Sequence, residues 1–359
     1  PALAILLTLG CYGFAYTGSL ARGFALAQAL TLWGFVGVLG RRWVLAGLLL
    51  GCAVLANYLA VFVAGTAAMF GILARTGLRA PWSARTPALC ISIGFLPPYL
   101  LAAWFFLHQR GSRAGQFPPF ELITALLRIA RYSAANLIGG LPLYMPANTQ
   151  NVVATILSIG LVALAVSVLC RWRGSPSIAA AALAPPLGLL ALGFVFDNTP
   201  IELRYLSFAT PFVALLVAGS RPRLGVLVVV FAVQAASLAG MIIRPETMQP
   251  ARAAAAAAVT ANGEIVLIPR GNDGVGIVGA FAMEAPPTLS LLIVGPSDAP
   301  ADIRRRMWGY RRATLVLLAQ DGGAQAAIPA MQAAFAEAGW REIASGVNVA
   351  TYERIAEPE

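Results

Sequence analysis

The chain has no lysine, a single histidine and little charge of either sign. Its 25 basic residues are all arginine, and charged residues make up only 11% of the 359. Ordinary soluble domains carry about 25% charged and about 45–50% apolar residues. A content of 11% charged and 59% hydrophobic therefore excludes a soluble globular chain and a disordered one. Metal-ligand or redox spacing of cysteine is also lacking. Cys11, Cys52, Cys90 and Cys170 lie inside apolar runs with no CxxC, which predicts buried structural thiols. His108 has no partner motif and reads as structural. The chain opens on Pro1 and an apolar stretch, without Met or a basic leader, so a missing N-terminal part is expected.

The formal net charge of +10 raises the question of nucleic acid until it is sorted by position. Residues 1–243 hold 15 arginines and three acids, whereas residues 244–359 hold 10 arginines and 12 acids. All the excess basicity belongs to the apolar part, and no nucleic-acid partner is predicted.

Apolar runs occupy roughly 1–16, 23–40, 43–74, 87–108, 151–170, 176–196, 205–219 and 224–243. As one helix the run over 43–74 would be about 48 Å long, against about 30 Å of hydrocarbon. Cytoplasmic loops collect Arg and Lys, and this decides how the run is read. If it is two short helices hinged at Asn57 and Tyr58, one side receives Arg41, Arg42, Arg75, Arg79, Arg85, Arg171, Arg173, Arg221 and Arg223 and no acid. The other side receives Glu121, Asp197 and Glu202. The expectation is an α-helical polytopic membrane bundle of about nine segments over 1–243, integral to the cytoplasmic membrane. The loop 109–150, the turn 197–204 and the tail then face away from the cytoplasm. Pro97-Pro98 and Pro185-Pro186 should kink or unwind their spans.

In FELITALLRIARYSAANLI, Glu121, Thr124, Arg128 and Arg131 are spaced three, four and three apart, one polar stripe against a broad apolar face. That predicts an interfacial helix over about 119–138, lying in the membrane plane. Two readings stand for Arg128 and Arg131: snorkelling to lipid headgroups, or bidentate capture of a phosphate or pyrophosphate, with Arg110 and Arg113 adding to the field. In DNTPIELRY, the charged Asp197, Glu202 and Arg204 beside Tyr205 sit at the mouth of two spans. They read either as a structural pair, Glu202 or Asp197 with Arg204, or as substrate contacts.

From about 251 the pattern changes. EIVLI, LSLLIV and ATLVLLA are short buried-type strand runs, DIRRRMWGY and AQAAIPAMQAAFAEAG read as helices, and REIASG with VNVATYERI as a closing strand pair. The expectation over 251–359 is a small extracytoplasmic α/β domain. PRGNDGVG lacks GxGxxG spacing and a P-loop Lys and reads as a plain turn. The cluster Arg304, Arg305, Arg306, Arg311 and Arg312 reads as a solvated or headgroup-facing surface.

Three stretches, in order, resemble the polytopic GT-C glycosyltransferases related to protein O-mannosyltransferases and bacterial lipopolysaccharide sugar transferases. YTGSLARGFAL places Arg22 and Phe24 at the positions of that family's Arg-x-aromatic pattern at the start of a span. WVLAGLLLGCAVLANYLAVF is similar to its paired short helices, with Asn57-Tyr58 where the family often has His-Tyr. LRYLSFATPFVALL places Arg204, Tyr205 and Pro211 as in its Arg-Tyr-Leu and following Pro.

The resemblance implies inverting transfer of a sugar from a polyprenyl-phosphate-linked donor to an envelope glycan, lipid or protein acceptor on the non-cytoplasmic face. It also implies a catalytic carboxylate in an outer loop upstream of Pro1, with Asp197 and Glu202 as second-rank candidates for acceptor or metal contacts. Arg22, Arg128, Arg131 and Arg204 would hold the donor phosphate, and Asn57, Tyr58 and Tyr205 would make other substrate contacts. The resemblance fixes no cofactor, and a divalent cation stays open. Two other classes also stand, a transporter or flippase of lipid-linked glycans and a non-catalytic envelope scaffold.

Overall fold

The computed structural model describes residues 2–19, 23–73, 86–109, 119–172, 174–199, 201–244, 250–270, 276–318, 322–336, 339–346 and 348–355. The chain divides into two compact units at Ile243 and Arg244.

The first unit is helical: α1 (Ala2–Gly10), α2 (Tyr12–Ser19), α3 (Phe24–Leu39), α4 (Trp43–Ala56), α5 (Val61–Leu73), α6 (Thr86–Gln109), α7 (Leu122–Leu137), α8 (Ala147–Arg171), α9 (Pro176–Phe196), α10 (Leu203–Leu206), α11 (Thr210–Gly219) and α12 (Leu224–Ile243). Among the described residues, four stretches are long and apolar enough to cross a membrane: Thr86–His108, Asn148–Arg171, Pro176–Phe196 and Leu224–Ile243. The count of nine segments is not supported. The 14 residues of α4 reach about 21 Å at 1.5 Å per residue, short of about 30 Å. Elsewhere an apolar run contains breaks: α1 and α2 part at Cys11, and a 3-10 turn, Ser207–Ala209, separates α10 from α11.

The run over 43–74 is two helices. Asn57 adopts extended backbone, its Oδ1 accepts the Leu59 N–H at 3.1 Å, and a 3-10 turn, Tyr58–Ala60, leads into α5. The capping side chain and the reversal explain why a continuous apolar run does not make one long helix. Neither proline pair unwinds its helix, since Pro97-Pro98 lie inside α6 and Pro185-Pro186 inside α9. Helix α4 packs closely on α6 between Ile91 and Pro98. A Cβ on Gly47 would meet the Ile91 carbonyl, one on Gly51 would lie 2.6 Å from the Phe95 carbonyl, and one on Gly94 would meet the Val44 carbonyl. Small residues let the backbones approach where lipid supplies no hydrophobic drive. Beside this contact Leu50, Val63, Ile91 and Phe212 form the largest core cluster. Cys11 is buried, but Cys170 is exposed, against expectation, because α8 offers most of its surface outward.

The second unit is a five-stranded sheet in the order β2-β1-β3-β5-β4. The strands are β1 (Ile265–Pro269), β2 (Ser290–Val294), β3 (Arg312–Val316), β4 (Trp340–Gly346) and β5 (Val349–Arg354), with helices α13 (Pro250–Thr260), α14 (Gly276–Glu284), α15 (Pro300–Arg306) and α16 (Gly322–Ala336). Interior strand β1 pairs in parallel with β2 and β3, while β5 runs antiparallel to β3 and β4. Every residue of β1 is buried. Its Ile265 and Leu267 join Ile303, Met331 and Phe335 on one face, and its Val266 and Ile268 join Ala254, Ala258 and Phe281 on the other. A strand covered on both faces needs an unbroken apolar run, which is what EIVLI supplies. Edge strand β4 is exposed beyond Trp340 and carries a bulge between Glu342 and Ala344, a device that discourages pairing with another chain.

Candidate functional site

The helix directions give the first unit two chemically different ends. Gly23, before α3, abuts the Ala56 carbonyl at the end of α4, and Phe24 stacks on Tyr205 with ring centroids 6.2 Å apart. Tyr58 packs edge-on against Phe106 near the end of α6, and Phe106 against Phe196 at the end of α9. Asn57, Tyr58, Asp197, Glu202, Arg204 and Tyr205 therefore share one end. At the other end, Trp172 after α8 packs on Gly219 of α11. Arg41, Arg42, Arg171, Arg221 and Arg223 fall there, and none has an acidic partner among the described residues.

The centre of the first end is a local break in helix geometry. Glu202 is extended, α10 makes one turn, a 3-10 turn follows, and Pro211 occupies the first turn of α11, where its missing N–H costs nothing. This break turns Arg204 toward Glu202, Nη2 to Oε2 2.5 Å, and toward the Tyr205 hydroxyl at 3.3 Å, with the guanidinium carbon 5.1 Å from the Tyr205 ring centroid. The Arg204 side chain is 23% exposed, yet its Nε is buried and has no hydrogen-bond partner among the described residues. Of the two ion pairs the sequence left open, Glu202 is the partner. Asp197, left-handed at the end of α9 with φ 46°, accepts the Phe120 N–H at 3.2 Å, and Thr199 donates to the Pro119 carbonyl at 3.1 Å. The acidic turn is thereby latched to the start of α7.

Helix α7 has three faces rather than two. Ala125, Ile129 and Tyr132 pack into the unit, Leu122, Ile123, Leu126 and Leu127 stand exposed, and Glu121, Thr124, Arg128 and Arg131 line the third side. Arg128 is half-buried and Arg131 exposed, and neither has an ion-pair partner among the described residues. An exposed apolar face beside a cationic one is the composition of a helix lying at a membrane surface.

Behind Arg204 runs a polar seam that sequence reasoning missed. Buried Gln28 donates to Ser207 at 2.8 Å, and Ser207 donates to the Arg204 carbonyl at 2.7 Å. Buried Thr210 donates to Asn136 Oδ1 at 3.1 Å, and the Tyr12 and Tyr144 hydroxyls meet at 2.6 Å. A Cβ on Gly13 would collide with the Asn136 amide, so the seam depends on that glycine. The available signal was isolated polar residues such as Gln28, Ser207 and Thr210 inside apolar runs, which are costly in a membrane unless they are paired.

Other expected residues have local roles or fall outside view. His108 is exposed with Nδ1 2.8 Å from the Trp104 carbonyl, and Asn57 uses its amide oxygen as a cap. Arg22, Arg110 and Arg113 lie outside the described residues, as does 271–275 of the PRGNDGVG segment. In the basic cluster of the second unit, Arg305 pairs with Asp302, Arg306 with Asp298 and Arg312 with Glu353, so much of its charge is met locally. Among the described residues no group of three His, Cys, Asp or Glu side chains comes together to ligate a metal. Asp197 and Glu202 are each engaged by protein partners, so no metal-dependent step is assigned.

No protein-family model, curated protein or solved structure matches the chain. The site is therefore argued from its own chemistry.

Proposed function

We propose that the protein is a membrane glycosyltransferase that moves a sugar from a polyprenyl-phosphate-linked donor to an envelope glycan, lipid or protein acceptor. The observation that carries the reading is Arg204, a partly sunk guanidinium at the mouth of a helical bundle, oriented by Glu202 and Tyr205 and with Nε unpartnered among the described residues. A lipid phosphate is an acceptor-only group that suits such a fork. In inverting transfer the acceptor hydroxyl attacks the anomeric carbon, its proton passes to a carboxylate, and the bond to the lipid phosphate breaks with its electron pair leaving on phosphate oxygen. Arg204 stabilises that developing charge, and Arg22, Arg128 and Arg131 complete the seat. Tyr205, Tyr58 and Asn57 border it. Asp197 and Glu202 are weak candidates for the base, because a backbone N–H and a guanidinium already engage them.

The acid-free arginine end faces the cytoplasm and the Arg204 end faces the opposite compartment, by the positive-inside rule. Helix α12 starts at the acid-free arginine end, just after Arg223, and runs to the Arg204 end, so the chain leaves it on the non-cytoplasmic side. The test is sugar transfer from a polyprenyl-phosphate donor in membranes containing the protein. Arg204→Ala should lower turnover about 100-fold, with partial recovery in Arg204→Lys. Unchanged turnover in Arg204→Ala, at equal protein level, would overturn the assignment.

A further inference from the structure

Small residues do opposite things at two places in the first unit. Gly47, Gly51 and Gly94 bring α4 and α6 into backbone contact, whereas Gly160 of α8 and Gly225 of α12 meet nothing within 4 Å. Between α8 and α12 is a groove of about 480 Å³, lined by Leu157, Gly160, Ala163 and Leu164 on one side and Gly225 and Val229 on the other. A second apolar cavity of about 230 Å³ separates α8 from α1 and α11 and shares Leu164 and Val230 with the first. Helix α8 thus stands off from its neighbours over several turns. Water has little to bind in the larger groove, where Ser167 is the one polar side chain among its lining residues.

One end of that groove is built differently. Ser167, Gly225 and Val226 mark its limit. About one turn beyond, Arg171 ends α8, Trp172 packs on Gly219, and Arg221 and Arg223 precede α12. All three arginines are exposed, and the acids of the first unit, Glu121, Asp197 and Glu202, belong to the opposite end. The start of α12 adds the positive end of a 20-residue helix.

We propose that this groove holds one anionic phospholipid, an acyl chain lying between α8 and α12 and the phosphate held by Arg171, Arg221 and Arg223. An apolar slot at membrane depth that opens onto a cationic, acid-free rim is complementary to that molecule along its length. A second copy of the chain is the poorer occupant, because a symmetric contact would bring like-charged rims together. The donor lipid is also the poorer occupant, since Arg204 lies at the opposite end. The inference needs only that α8 and α12 cross the membrane and does not depend on the transferase reading.

The test uses the intact protein in vesicles of phosphatidylglycerol and phosphatidylethanolamine, extracted in mild detergent, with retained lipid measured by mass spectrometry. The wild type should retain about one phosphatidylglycerol per chain, enriched over the vesicle composition. Substituting Arg171, Arg221 and Arg223 by Gln should weaken retention roughly fivefold per arginine removed. Gly160→Leu should expel the lipid with all three arginines in place. Retention in proportion to vesicle composition would overturn the proposal. So would efficient disulfide cross-linking between copies through Gly160→Cys, which would show a second chain in the groove. Unchanged retention in both the arginine and Gly160→Leu variants would also overturn it.

Discussion

The two ends of the helical unit are both rich in arginine, and they differ in what the arginines meet. At one end Arg41, Arg42, Arg171, Arg221 and Arg223 have no acidic partner among the described residues. At the other, Arg204 is set in a broken helix with Glu202 against it, Tyr205 beside it and a buried polar seam behind it. A guanidinium in water needs no such construction. One drawn into the edge of an apolar bundle must be paired and oriented, and that is the ground on which Arg204 is proposed as the phosphate site. Net charge alone would have ranked the ends the other way.

The contrast can be broken or sharpened by substitution. The largest expected effect is on turnover, where Arg204→Ala should cost about 100-fold and the paired change Arg41→Gln with Arg42→Gln should cost less than about twofold. The seam comes next. Thr210→Val leaves Asn136 Oδ1 without its donor and should lower thermal stability by about 1–3 kcal/mol, read as an earlier midpoint in detergent. An unchanged midpoint would show that the seam is incidental. Glu202→Gln should cost about 1 kcal/mol or less, because both partners of the pair are partly exposed and screened, 23% and 34%. Smallest of all, Arg41→Gln with Arg42→Gln should leave that midpoint within about 0.5 kcal/mol. A large drop there would erase the distinction between the ends.

Much of this arrangement was legible in the sequence. The charge sorting identified the break at Asn57 because two reversing helices kept acids and rim arginines apart, and the structure turns the chain there. Three strands followed from short apolar runs and the last two from the closing pair REIASG and VNVATYERI, whereas α14, beginning at Gly276 in a glycine-rich stretch, gave no comparable signal. Span counting failed because an apolar run does not report its own breaks: Cys11 and Ser207–Ala209 interrupt runs without any charge to mark them. At the site, Arg204 and its two possible acids could be named but not paired, since the choice rests on Asp197 adopting φ 46° and turning to the Phe120 N–H. Gln28, Asn136, Ser207 and Thr210 were invisible individually, because each matters only through a partner remote in sequence.

The account rests on the two ends facing opposite compartments. In a variant with its four native cysteines replaced, Glu121→Cys and Arg223→Cys place single thiols at exposed positions on opposite ends. Labelled with a membrane-impermeant maleimide in intact cells, the Glu121→Cys protein should react and the Arg223→Cys protein should react only after the membrane is opened. Labelling of both thiols from outside, or of Arg223→Cys alone, would contradict the assignment of the Arg204 end to the non-cytoplasmic face.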